Sequence, residues 1–235
     1  MKRTKIELGD ALERYFRPYI GQVPIMIVDT STIIDLEEKA KRFSTRSFGE
    51  VAKILLTDLA KSIKHFIVPS RVLKEVGDHH KYCIKNGRPE ISREMYAAIC
   101  NYAKESRDIV NKTEEFFRTS SPYSAIFDDL ELLAKNLHNE INCGKKEKKI
   151  KRDPLSDTDM EVITLSFKFA IKSSACLDEK VAEKGDVPDV LKGTCRIAVL
   201  SADSHIYRPI NKILETSAGL NYRNYLFAFN TRDYA

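Results

Sequence analysis

The sequence predicts an α/β fold, a three-layer sandwich with a mainly parallel central sheet and a helical insert. Three observations predict it. Short continuous apolar runs such as Ile25-Met26-Ile27-Val28 and Ile197-Ala198-Val199-Leu200 do not alternate with polar residues, as strands buried on both faces do not. Helical periods separate these runs, which implies crossover connections between parallel strands. One long segment, residues 79–152, carries no strand-like run at all.

Lys5 to Arg17 reads as an amphipathic helix with Leu8, Leu12 and Phe16 on one face, ended by Pro18. Pro24 resets the chain before the first strand, Ile25–Val28, which stops at Asp29. A helix follows from Thr32 towards Ala40. Ser47 is placed to cap the next helix, running to about Lys64 with Val51, Ile54, Leu55 and Leu59 inward. His65–Val68 is the second strand, closed by Pro69. Ser70 caps a helix from Arg71 to Val76 that Gly77 is expected to end.

Within 79–152 the period predicts helices over 95–102, 107–117 and 124–141. The segment closes on Lys145, Lys146, Lys148, Lys149, Lys151 and Arg152, a run without an apolar face. Ser156 to about Lys172 is a helix of largely buried character, and 173–194 is expected as a surface loop. The third strand is Ile197–Leu200, a helix spans about 206–215, and Tyr225–Phe229 is the last strand. The resulting division is an N-terminal helix over 1–24, an α/β domain over 25–78 and 153–235, and the insert over 79–152.

The 235 residues are 43% hydrophobic, enough for a core, and the net charge of +5 permits a polyanionic partner without demanding one. No apolar run approaches the roughly 18–20 residues of a membrane span. Residues 1–24 are charged and lack the apolar centre of a signal peptide, so a cytoplasmic chain is expected. The five cysteines form no C-x-x-C pair, which argues against a zinc ribbon. His79-His80 reads as surface polarity, since adjacent histidines point apart on a helix.

Ligands in parallel α/β sheets bind outside the carboxyl ends of the strands. Four acids fall at that edge: Asp29 after the first strand, Glu75 on the helix after the second, Asp159 in the first turn of the Ser156 helix, and Asp203 after the third strand. Each has an ordinary alternative. Asp29 can cap a helix, Glu75 can be a solvated helix residue, Ser156-x-x-Asp159 fits a capping pattern, and Asp203 can be a turn residue. Their convergence on one rim favours a shared role. Crowded carboxylates tolerate one another when a divalent cation neutralises them, and oxygen ligands suit Mg²⁺ or Mn²⁺. The matching chemistry is attack of a metal-activated water on a phosphodiester. One or two ions would serve, and Asp157 stays open as a ligand to a second.

The segments Ile27–Ser31, Val68–Glu75, Leu155–Leu165 and Val199–Asp203 resemble, in order and setting, the successive motifs of PIN-domain ribonucleases. The resemblance covers 25–78 and 153–230. It implies an RNA-cleaving site of Asp29, Glu75, Asp159 and Asp203, with Ser31 and Ser201 bracing the acids and a role in RNA processing or decay. A helical insert between the second and third acids is similar in layout to the small protein-only RNase P of the Aquifex-homologue type. There the insert serves substrate binding and homo-oligomer assembly.

The basic run 145–152 is a candidate phosphate grip, or simply a solvated link. Glu161 is expected to face outward, and His205 is either a contact to RNA phosphate or a helix-start residue. A phosphatase of the haloacid-dehalogenase type wants an acid where Ser31 stands. No glycine-rich loop follows Val28, which excludes a phosphate-cradling nucleotide module. The alternative of another class is a non-catalytic PIN scaffold that binds RNA or protein in a larger particle.

Overall fold

The computed structural model describes residues 7–17, 23–43, 48–61, 63–86, 91–147, 156–182 and 195–234. Four strands form one sheet among them: β1 Val23–Val28, β2 His65–Ile67, β3 Cys195–Ser201 and β4 Leu226–Asn230. Their order is β2-β1-β3-β4, and every pairing is parallel. The chain leaves β1 towards β2, then returns across β1 to start β3 on its other side. The direction of winding therefore reverses between β1 and β3, where α/β sheets open a crevice at the carboxyl edge. The register pairs Val28 with Leu200, so Asp29 and Ser201 face each other across that crevice.

Ile25 to Val28 are fully buried, as are Ile197 to Ser201 of β3, and Cys195 and Arg196 are nearly so. Both faces of the sheet are thus covered, as a helix–sheet–helix layering requires and as the uniformly apolar runs predict.

The helices are α1 Leu8–Phe16, α2 Thr30–Phe43, α3 Phe48–Ala60, α4 Ser70–Asn86, α5 Arg93–Thr119, α6 Ser121–Glu147, α7 Asp157–Ala182 and α8 Ser204–Ile213. Leu8 and Leu12 of α1 enter the core as their spacing predicts. Ser47, offered as the cap of α3, lies outside the described residues, as does Pro18. On α3 the fully buried positions are Ala52 and Leu56, and Ile54 is 56% exposed, so the inner face is rotated from the expected one.

Several helices outrun their expected ends. Gly77 does not stop α4; it is buried beside the Tyr96 ring of α5 and has no left-handed backbone that would end the helix. The periods over 95–102 and 107–117 belong to one helix, α5, because Ser106 between them bonds back to the Ala103 carbonyl at 3.3 Å instead of breaking the turn. Likewise Ser173 returns its hydroxyl to the Phe169 carbonyl at 2.8 Å, and α7 continues to Ala182 through residues expected in a loop. Residues 183–194 lie outside the described residues.

The long α5 and α6 do not stand apart. Met95, Ile99, Ile109, Phe117, Leu130 and Ala134 belong to the same core cluster as the strands. Residue 79, the expected start of the insert, falls inside α4. The helical excursion is therefore an added layer on the α/β core, and it brings α6 against α7 and α8. No helix among the described residues is long and apolar enough to cross a membrane.

Candidate metal centre

Asp29 ends β1 and starts α2. Its Oδ1 accepts from the Thr32 amide at 2.9 Å, a cap for α2, so the ordinary reading of Asp29 is correct as far as it goes. The cap is only part of its bonding. Ser31 Oγ reaches both carboxylate oxygens, at 3.0 and 2.8 Å, and Ser201 Oγ donates to Oδ2 at 2.7 Å. Asp29 is 3% exposed. Burial raises its pKa from 3.8 to about 6, against the opposing hydrogen bonds from Ser201, Thr32 and Ser31.

The two serines expected to brace the acids tie Asp29 to the β3–α8 turn. Ser31 Oγ accepts from the Ala202 amide at 2.9 Å, and Ser201 Oγ accepts from the Asp203 amide at 2.9 Å. The turn carrying Asp203 is therefore fastened to β1 through Asp29. Asp203 caps α8, accepting from the His205 amide at 2.7 Å.

Asp159 lies in the first turn of α7. Its amide donates to Ser156 Oγ at 3.0 Å, and Asp159 Oδ2 accepts from the Ser156 amide at 3.2 Å, the reciprocal capping pattern that the spacing predicts. Burial raises the Asp159 pKa, Ser156 opposes that rise through two hydrogen bonds, Asp203 adds to it and His205 lowers it. One ligand atom from each of Asp159, Asp203 and His205 lies within 4.8 Å of the others, a group able to hold a metal ion.

The centre thus differs from the expected four acids. Asp159 and Asp203 converge as expected. His205, considered for phosphate or for the helix start, supplies the third donor and is buried. Asp29 stands behind, its oxygens engaged by Ser31, Ser201 and Thr32. Glu75 is held by the neighbouring residue of the β1–α2 junction, accepting from Thr30 Oγ1 at 2.9 Å. Neither Asp29 nor Glu75 belongs to the group within reach of one cation. Nor does Asp157, which pairs with Arg71 at 2.6 Å on an exposed surface.

His205 had a faint signal. An Asp that caps a helix folds its side chain back over the amide two residues on, so Asp203-x-His205 after a strand sets a carboxylate beside an imidazole. Nothing local shows that the ring is then boxed in by α6, whose His138 meets it edge to face at 4.9 Å and 77°.

Glu161 is not outward-facing. It accepts from the Ser70 amide at 3.2 Å, from Ser70 Oγ at 2.6 Å and from the Arg71 amide at 2.6 Å. It thus caps α4 from a distance and joins the helix of Glu75 to that of Asp159. Glu161→Ala is expected to cost ~1–2 kcal/mol, the size of a lost cap. Urea unfolding measures it, and a loss below ~0.3 kcal/mol would show that water replaces the carboxylate without penalty.

A cavity of about 360 Å³ opens beside this group, lined by Ser31, Asp203, Ser204, His205, Tyr207 and Arg232 among others. Of the basic run, Lys145 and Lys146 fall in α6, but their side chains and residues 148–152 lie outside the described residues. His80 of the histidine pair bonds the Ile91 carbonyl at 3.1 Å and stacks on Tyr96, a structural role. No family model, curated protein or solved structure matches the chain.

Proposed function

We propose that the chain is a metal-dependent endoribonuclease of the PIN type, hydrolysing RNA phosphodiester bonds at an Mg²⁺ or Mn²⁺ centre. The observation that carries this reading is the convergence of Asp159, Asp203 and His205 beside the switch point of a parallel sheet, with Asp29 fixing the turn behind them. The donor set of two carboxylates and one imidazole fits a divalent cation.

A divalent cation bound there supplies a water of lowered pKa and neutralises charge that develops on the phosphate. The chain's own residues do the rest. Asp159, Asp203 and His205 would hold the cation, Asp203 and His205 from the cavity wall, and the capping bonds of Asp159 and Asp203 keep both carboxylates in place before substrate arrives. Ser31 and Ser201 transmit the position of Asp29 to the Asp203 turn. Arg232 and Tyr207 line the same cavity, where a guanidinium suits a phosphate and a ring suits a base. Glu161 and the Arg71–Asp157 pair hold the α4 and α7 ends together at the rim. The open cavity beside Asp203 favours catalysis over the scaffold alternative, which a rim filled by side chains would have supported.

The first test is a labelled single-stranded RNA incubated with the purified protein and Mn²⁺ or Mg²⁺. Internal cleavage that EDTA stops is expected. RNA bound but uncut under both metals would move the protein to the scaffold class.

RNA carries a dense negative charge that a rim of acids repels, so attraction must come from elsewhere. Lys145, Lys146, Lys148 and Lys149 lie just ahead of the α7 start in the chain. Changing all four to Gln is expected to weaken RNA binding alike for all sequences. It should flatten the dependence of log K on log salt by ~0.7 per lost contact on a single strand. Titrations at several salt concentrations measure this. An unchanged slope would reassign the grip to the folded helices α5 and α6.

A further inference from the structure

The donor set departs from the all-carboxylate site that the motif acids alone would form, and the departure has a chemical consequence. His205 is 7% exposed and has little room to swing aside. Its ring is closed in by His138 of α6 at 4.9 Å, edge to face. Its backbone amide is bonded to Asp203 Oδ1 at 2.7 Å, which locks the start of α8 against the acid. Yet the ring nitrogen Nδ1 stops 3.7 Å short of that same oxygen, beyond hydrogen-bond length. Two atoms that share one cation at bonds of ~2.1 Å sit ~3–4 Å apart. The spacing fits two ligands of one cation, and it is also an ion-pair distance for a protonated ring. With the ring already held, little side-chain freedom remains to be lost when a cation arrives.

We propose that His205 is a nitrogen ligand of the metal centre, making it a mixed N/O site that takes a first-row transition ion, with Mn²⁺ as its probe, ahead of Mg²⁺. The proposal rests on the metal-site part of the reading above and narrows it. Mg²⁺ demands near-octahedral oxygen coordination and gives up water reluctantly, whereas an imidazole nitrogen favours the first-row transition ions, of which Mn²⁺ binds such sites least tightly and serves here as the paramagnetic probe. Two carboxylates and a neutral imidazole balance the charge of one divalent ion. His138 is then a positioning residue, through which the helical excursion reaches the centre and sets the orientation of the ligand ring.

Electron spin-echo envelope modulation of Mn²⁺ bound to the wild-type protein tests the ligand directly, because only a coordinated nitrogen gives strong ¹⁴N modulation. Modulation is expected in the wild type and its loss in His205→Gln, with circular dichroism checking the fold. In titrations followed by calorimetry, His205→Gln should weaken Mn²⁺ binding by ~10-fold or more and leave Mg²⁺ within ~3-fold. The wild-type spectrum needs no variant, so a poorly folding His205→Gln does not rescue the proposal. Mn²⁺ bound without nitrogen modulation would overturn the proposal and leave an all-oxygen metal nuclease standing. Modulation that persists in a folded His205→Gln would also overturn it. Failure of the wild type to bind Mn²⁺ or Mg²⁺ at all would overturn both this proposal and the metal-dependent reading beneath it.

Discussion

Asp203→Asn is expected to lower RNA cleavage by ~100-fold or more, because several kcal/mol of metal-mediated stabilisation goes with the charge. Asn keeps the side-chain oxygen that accepts from the His205 amide, so the cap of α8 survives and the fold should hold. Asp159→Asn belongs with it, since Asp159 shares the same cation-sized group. Asp157→Asn does not. Its carboxylate pairs with Arg71 on an exposed surface, where an ion pair contributes at most ~1 kcal/mol. Cleavage by Asp157→Asn should stay within ~3-fold of wild type. Single-turnover rates on one labelled RNA, with melting curves for each variant, measure the series. If Asp157→Asn loses more activity than Asp159→Asn, the cation binds nearer the N-terminal end of α7 than the Asp159–Asp203–His205 group.

Asp29→Asn is expected to stabilise the metal-free protein near neutral pH. Burial raises the folded-state pKa of Asp29 from 3.8 to about 6. A raised carboxyl pKa means that the folded chain holds a proton more tightly than the unfolded one. The stability linked to that proton is fully present below about pH 3.8 and falls away as the pH rises through 6. At pH 7.5 the wild type therefore carries a buried charge that costs about 3 kcal/mol, and Asn does not. Asn needs its amide accepted. Ser201 and Ser31 can turn to do so, and Ser201 already has the Asp203 carbonyl within 3.2 Å as another acceptor for its own proton. The net gain is then ~1–3 kcal/mol. Urea unfolding at pH 4 and at pH 7.5 reads the difference. A gap of the same size at both values would remove the buried charge as its cause.

These two variants separate what the sequence made legible from what it did not. The strands were legible because Ile25–Val28 and Ile197–Leu200 are apolar without alternation, which only a sheet covered on both faces permits. The placement of Asp29, Asp159 and Asp203 followed from the strand ends and from the Ser156-x-x-Asp159 pattern, features set by a few neighbouring residues. The roles of Glu161 and His205 were not legible, because each depends on a partner distant in the chain. Glu161 meets the amides of Ser70 and Arg71 across the helix packing, and the His205 ring is fixed by His138. A period shows which face of a helix is polar; it does not show that another helix begins there. Helix ends failed for a related reason. Gly77 read as a stop and residue 173 as the start of a loop, yet Gly77 keeps helical backbone beside Tyr96 and Ser173 bonds back to the Phe169 carbonyl inside α7. The same carboxylates also show that a cap and a site residue need not be alternatives: Asp159 and Asp203 each cap a helix and face the cation-sized gap.

The central claim is that this rim cuts RNA internally. The most direct measurement incubates the purified protein with a total RNA pool and Mn²⁺ and maps the new ends by sequencing. The account predicts internal cuts at reproducible positions, absent with EDTA and absent with folded Asp203→Asn. New ends no more frequent than those produced by Asp203→Asn, from a wild-type protein that is folded and binds Mn²⁺, would contradict it.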